Sequence, residues 1–172
     1  MSGSCRIRAA LTAGALLLLA GCGIPSTGVP PTGVLDGGPA ASGLTTGLRL
    51  YFVGDDGLRG VARPGVRVQQ LDDVFKLLAE GPSPAEQRAG LTTVVWAGPY
   101  TAKGDGRQVT VRAPGISFEP GRDQKANGQL VCSLARAQSL LADGVRPNDV
   151  QVTLVGSGRS VGPFPCSYYL GG

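Results

Sequence analysis

No histidine occurs anywhere in the 172 residues. Its absence removes Ser-His-Asp and Cys-His nucleophile systems, imidazole-held zinc and the side chain most used as a general base. Charge is sparse, at 16% of residues, and aromatics sparser, at 5%. Basic residues form no run and have few aromatics among them to stack bases, so nucleic acid is not an expected partner. No apolar run reaches the roughly 20 residues needed for a permanent membrane span. The most apolar stretch, Ala9 to Leu19, covers eleven.

What surrounds that stretch gives it a meaning. Arg6 and Arg8 precede it, and Ala20-Gly21-Cys22 follows it. A basic end, a short apolar centre and a small-residue finish are the layout of a secretory signal peptide. The finish, Leu19-Ala20-Gly21-Cys22, resembles the bacterial lipobox. That resemblance implies that residues 1–21 are removed, and that the Cys22 sulfur carries a diacylglycerol as the first residue of the mature chain. Thiolate nucleophilicity is what makes cysteine the residue for that attachment. Of the 25 residues from Gly23 to Gly47, 17 are Gly, Pro, Ser or Thr, and only Asp36 is charged. Such a segment buries too little apolar surface to offset its ordering entropy. Residues 22–47 are therefore expected to form a tether, with a coil dimension of about 27 Å and an extended limit of about 75 Å.

Removing 1–21 leaves 151 residues carrying 14 basic and 12 acidic side chains, and a folded part of 125 residues, 48–172. That length suits one domain with a single core. With Cys5 in the signal and Cys22 lipidated, Cys132 and Cys166 remain. Two cysteines in an exported domain most simply form one disulfide. Closing a loop of about 35 residues would stabilise by roughly 3–4 kcal/mol. No motif supplies further ligands for a metal, and no cofactor is expected.

Within 48–172, LRLYFV (48–53), GDDG (54–57) and LRGVAR (58–63) read as strand, turn and returning strand. Val68, Leu71, Val74, Phe75, Leu77 and Leu78 lie on one helical face, and Gly81-Pro82 stops that helix. Ser83-Pro84-Ala85-Glu86 is a capping box that opens a short second helix ending at Gly90. TTVVWA (92–97) and RQVTVR (107–112) read as strands, with GISFE (115–119) pairing the latter across Pro114-Gly115. A long helix is expected over Asn127 to Ala142, with Leu130, Leu134, Ala137 and Leu141 facing the core and Cys132 turned away from it. VQVTLV (150–155) is a last strand, followed by an irregular tail. The order predicts an α+β domain, with two main helices on one face of a small mixed or antiparallel sheet.

Several motifs invite chemistry without the spacing for it. Gly54-Asp55-Asp56-Gly57 and Gly156-Ser157-Gly158 do not open helices, so they read as turns rather than phosphate loops. Asp55-Asp56-Gly57 lacks the ligand spacing of a calcium loop. Asp72 and Asp73 are adjacent on a helix and so point about 100° apart, as expected of a solvated face rather than an acid–base pair. Trp96, Tyr100, Tyr168 and Tyr169 read as packing aromatics. Nothing places a lysine such as Lys76 or Lys103 beside a serine, so enzymatic activity is not expected.

LRLYFV, LLAEGPSPAEQRAGLTT, QLVCSL and VQVTLVGSG together resemble the GerMN domain of sporulation, spore-germination and actinobacterial lipoproteins. The matching pieces are Leu77-Leu78-x-x-Gly81-Pro82, Glu86, Gly90-Leu91-x-Thr93 and Gln129-Leu130, spanning about 48–156. The resemblance implies a compact, non-catalytic protein–protein interaction domain similar to ring-building modules. On it, the chain is expected to be an outward-facing lipoprotein of the cell membrane with an envelope protein as partner. A small-ligand-binding envelope lipoprotein is the alternative. Ring-building relatives pack helices of one copy on the sheet of the next, which makes Asp72, Asp73 and Lys76 the candidate interface. Reversing the two aspartates is expected to weaken capture of the partner and to spare the fold.

Overall fold

The computed structural model of the chain describes residues 47–121 and 124–170, so Cys22, the expected signal peptide and most of the expected tether lie outside it. Among the described residues six strands, four α-helices and a short 3-10 turn (Pro147–Asp149) make an α+β fold, as the sequence pattern predicts. β1 (Leu48–Gly54) and β2 (Gly57–Arg63) form a hairpin closed by Asp55 and Asp56, with Leu48 opposite Arg63 and Gly54 opposite Gly57. Gly57 takes φ 117°, a backbone state that disfavours any side chain. After α1 (Asp72–Glu80) and α2 (Pro84–Arg88) comes a four-stranded sheet. Its order is β3 (Thr101–Asp105), β4 (Gln108–Arg112), β5 (Gln151–Val155), β6 (Ser160–Phe164). Only β4 and β5 run parallel, and α3 (Lys125–Leu141) is the crossover that parallel neighbours require. The chain closes on the short α4 (Ser167–Leu170).

The long helix differs most from its expected form. Leu130, Leu134 and Ala137 are buried as the stripe predicts, but so is every residue from Asn127 to Ala135, whereas Leu141 is 39% exposed. The helix packs against β1, β2, β4, β5, α1 and α4, so from Asn127 to Ala135 it has no outer face. Cys132, placed by the helical wheel away from the core, is 1% exposed. It joins Cys166 with Cα atoms 4.5 Å apart, as expected, but the bond lies inside the core.

Burying a helix all round buries polar side chains with it, and each of these needs a partner. Asn127 donates to the Glu119 carbonyl at 2.8 Å. Gln129 is fully buried: it accepts the Val94 N–H at 3.0 Å and donates to the Thr93 hydroxyl at 3.0 Å. Ser133 accepts the Tyr51 N–H at 2.9 Å, and Gln138 donates to the Gly106 carbonyl at 2.8 Å. Four side chains of one helix thus satisfy backbone groups on β1 and on three loops.

These bonds account for several departures from the sequence pattern. The segment 92–97 is not a strand. Thr92 alone pairs, exchanging both backbone bonds with Val53 at 2.8 and 2.9 Å, and the next amide, at Val94, goes to Gln129 instead of a ladder. GISFE does not return along β4 either. Gly115, at φ 85°, turns the chain, Ile116 N–H bonds Ala113, and Ile116 C=O accepts Ser157 N–H at 2.7 Å. The antiparallel partner of β4 is TAKGD, which carries a glycine because the Gln138 amide crosses directly over Gly104. The first helix begins at Asp72, not Val68: the Asp73 carboxylate accepts the Gln69 and Gln70 N–H groups, holding those residues outside the helix. The tail is ordered as β6 and α4, with a cis Gly162–Pro163 bond in the edge strand. Proline is excluded from central strands and tolerated at edges.

Replacing both Cys132 and Cys166 with alanine should lower the unfolding free energy by roughly 3–4 kcal/mol, the loop-closure contribution for this separation. Urea titration of the two chains, monitored by far-UV circular dichroism, measures it. An unchanged midpoint would show that the cross-link adds nothing to stability.

Candidate interaction surface

The residues expected to form an interface on the first helix do different work. Asp72 is half-buried, and its carboxylate accepts the Ala102 N–H at 2.7 Å, fixing β3 to α1. Asp73 accepts the Gln69 N–H at 3.1 Å and the Gln70 N–H at 3.2 Å. Those amides, the Gln69 bond foremost, and the nearby Lys76 charge hold its carboxyl below the ordinary range. Lys76 stands 3.8 Å from Asp73 and is the one exposed member of the three. The expectation that charge reversal at 72 and 73 spares the fold is therefore corrected. A lysine at 72 would set one donor against another at Ala102.

A second anchored carboxylate lies next door. Ser83 and Glu86 form the expected capping box, and Glu86 also takes a two-pronged bond from Arg63 at 2.7 and 2.8 Å. Arg63 in turn lies over the Phe52 ring at 5.2 Å, tying β2 to α2. Partial burial pushes the Glu86 carboxyl upward, but the Arg63 bonds, the Ser83 N–H and the Arg63 charge outweigh it and hold the group low.

The aromatics separate into two groups. Phe164, Tyr168 and Tyr169 cluster around the C-terminal turn, with centroids 4.4–5.8 Å apart. Tyr169 buries a hydroxyl that has no hydrogen-bond partner, and burial pushes it up to about 12. Asn127, whose amide donates to the Glu119 carbonyl, pulls the other way without offsetting the burial. In the other group Tyr100 stacks on Phe75 at 5.0 Å, and Trp96 meets its edge at 6.4 Å. Burial alone raises the Tyr100 hydroxyl.

Trp96 lies at the rim, outside the core. It is 61% exposed, and Val94, two positions before it, is 41% exposed. Between them Val95 is buried, and Thr92 points outward again. The chain is extended and presents alternate residues to solvent, held from beneath by Gln129 and by Thr93, whose hydroxyl donates to the Leu78 carbonyl at 2.9 Å. Reading these residues as a sheet strand hid this surface. The signal that marks it was present: Leu91 to Ala102 is twelve residues without a charge, containing the chain's single tryptophan. Among the described residues no group of three or more acidic or cysteine side chains could hold a metal.

Comparison with family models, with curated proteins and with solved structures finds no match.

Two measurements check these contacts. Asp72→Ala should cost about 1.5–3 kcal/mol, the range for a hydrogen bond to a charged group, in urea denaturation. No loss would show that Ala102 is held by other means. The Glu86 contribution follows from its depressed folded-state value. The stability difference between the parent and Glu86→Gln should be complete above the ordinary 4.5 and should fade as pH drops below it. Thermal melting across the acid range reads it, and a difference independent of pH would contradict the coupling to Arg63.

Proposed function

We propose that this chain is a membrane-anchored, extracytoplasmic lipoprotein whose folded part, similar to the GerMN domain, is a non-catalytic protein–protein interaction module in envelope, signalling or sporulation assembly. The observation that carries the reading is the Cys132–Cys166 bond within the core. Disulfides persist in oxidising compartments outside the cytoplasm. The same chain begins with a basic, apolar and small-residue sequence that closes on Leu19-Ala20-Gly21-Cys22. Core chemistry and leader pattern point to the same side of the membrane. One lipid chain anchors marginally, whereas the two of a diacylglycerol at Cys22 hold firmly at about 0.8 kcal/mol per buried CH₂. The interaction role rests on the resemblance of LRLYFV, LLAEGPSPAEQRAGLTT, QLVCSL and VQVTLVGSG to the GerMN domain.

Cys22→Ser should abolish incorporation of labelled fatty acid and leave the precursor uncleaved in cells. Labelling that persists in this variant would overturn the anchor assignment.

A further inference from the structure

We infer that the outer margin of β2 is a strand-addition site that takes a second copy of this chain, β2 against β2 around a two-fold axis at Gly60. The inference rests on the interaction role proposed above and gives it a partner.

Hydrogen-bond accounting is the first argument. In an antiparallel pair, facing residues alternate between those that exchange main-chain bonds and those whose N–H and C=O point away from each other. On β1, Tyr51 N–H goes to the Ser133 hydroxyl and Val53 exchanges both bonds with Thr92, so these two residues face away from β2. Their partners across the hairpin, Gly60 and Leu58, therefore face outward on the far side, and Ala62, opposite Arg49, continues the series. Among the described residues nothing takes the N–H or C=O of Leu58 or Gly60, and Ala62 C=O has only a 3.4 Å contact from Arg63. Gly60 is nevertheless buried, with the Arg49 stem and the Tyr51 ring lying over it. Main-chain groups left unpaired in buried backbone are costly. The complement to N–H and C=O groups repeating along an extended margin is another extended backbone.

Register and charge are the second argument. Antiparallel pairing about Gly60 sets Leu58 opposite Ala62 of the second copy and Gly60 opposite Gly60. Each bonded pair exchanges two hydrogen bonds, so this register makes about six. It places Arg59 opposite Val61 and Arg63 opposite Gly57. Sliding the strands by two residues loses a bonded pair, and it sets Arg59 against Arg59 in one direction and against Arg63 in the other. Like charges directly opposite each other are destabilising. Arg59 and Arg63 hold Asp56 and Glu86 at 3.0 and 2.7 Å, so in the Gly60 register each brings its own counter-charge. The strand is complementary to itself in one register.

Closure is the third. The outer side of β1 is taken by Ser133 and Thr92, β3 meets Asp72 at Ala102, and β6 carries Pro163. Pairing β2 with β2 uses the remaining margin in both copies, so the contact is isologous and stops at two. Three bonded pairs are a small contact, and the dimer is expected to be weak and concentration-dependent.

Hydrogen exchange of the full chain in detergent, resolved by residue at rising concentration, tests the pairing. The amides of Leu58, Gly60 and Ala62 should exchange more slowly as concentration rises, while those of Arg59 and Val61, which face β1, should not change. Once dimer dominates, the monomer fraction falls with the square root of concentration. A rise of about a hundredfold should then slow the three amides about tenfold. Ala62→Pro removes an outward N–H at an exposed edge position, where proline is tolerated. It should abolish the concentration dependence and leave the chain monomeric in sedimentation, with circular dichroism unchanged. If the proline unfolds the chain, Ala62→Asp, which sets a carboxylate against Leu58 of the second copy, replaces it with the same expected loss. A chain that is monomeric throughout overturns the inference. So does a dimer in which those three amides exchange independently of concentration, and so does protection that requires another envelope protein. Fatty-acid labelling at Cys22 tests the anchor separately and is untouched by these results.

Discussion

A buried N–H or C=O without a partner costs about as much as several buried methylenes contribute, so the position of α3 governs the rest of this molecule. The helix lies where backbone groups from a hairpin, two loops and a turn all end blind. Asn127, Gln129, Ser133 and Gln138 terminate them one by one. Small residues at Ala135 and Ala137 and the disulfide at Cys132 let the surrounding elements approach closely enough for those short bonds. The hydrophobic core supplies cohesion, and the polar side chains threaded through it set which loop sits where.

Local chemistry was legible in the sequence wherever one residue type dictates one backbone state. The hairpin follows from two glycines flanking two aspartates, and the second helix from Ser83, Pro84 and Glu86. The cysteine pairing follows from arithmetic, and the α+β class from the order of the apolar runs. Non-local satisfaction was not legible. TTVVWA has the composition of a strand, and only a glutamine about thirty-five positions later diverts its amide. TAKGD has the composition of a loop and becomes a strand because Asp72 and β4 hold it on either side. Asp72 and Asp73 look solvated on a helical wheel, which cannot show amides arriving from elsewhere.

The same limit applied to the surface. A run of β-branched residues ending in tryptophan suggests core, yet the side chains of Val94 and Trp96 face outward because Leu91, Thr93 and Val95 already take the inward positions. Held by the Gln129 amide behind it and by the stack of Phe75 and Tyr100 beside it, the segment does not collapse onto the core.

How the strands end has a consequence for solubility. Every sheet has borders along which another chain could add itself, a route to amyloid-like growth. Here β1 is closed by Ser133 and Thr92, β3 is stopped at Ala102 by Asp72, and β6 carries Pro163, which has no hydrogen to offer. These three margins meet three different blockers, none of them another strand of the same sheet. Copies of this chain are thereby kept from templating one another along those borders, and contacts there are left to side chains.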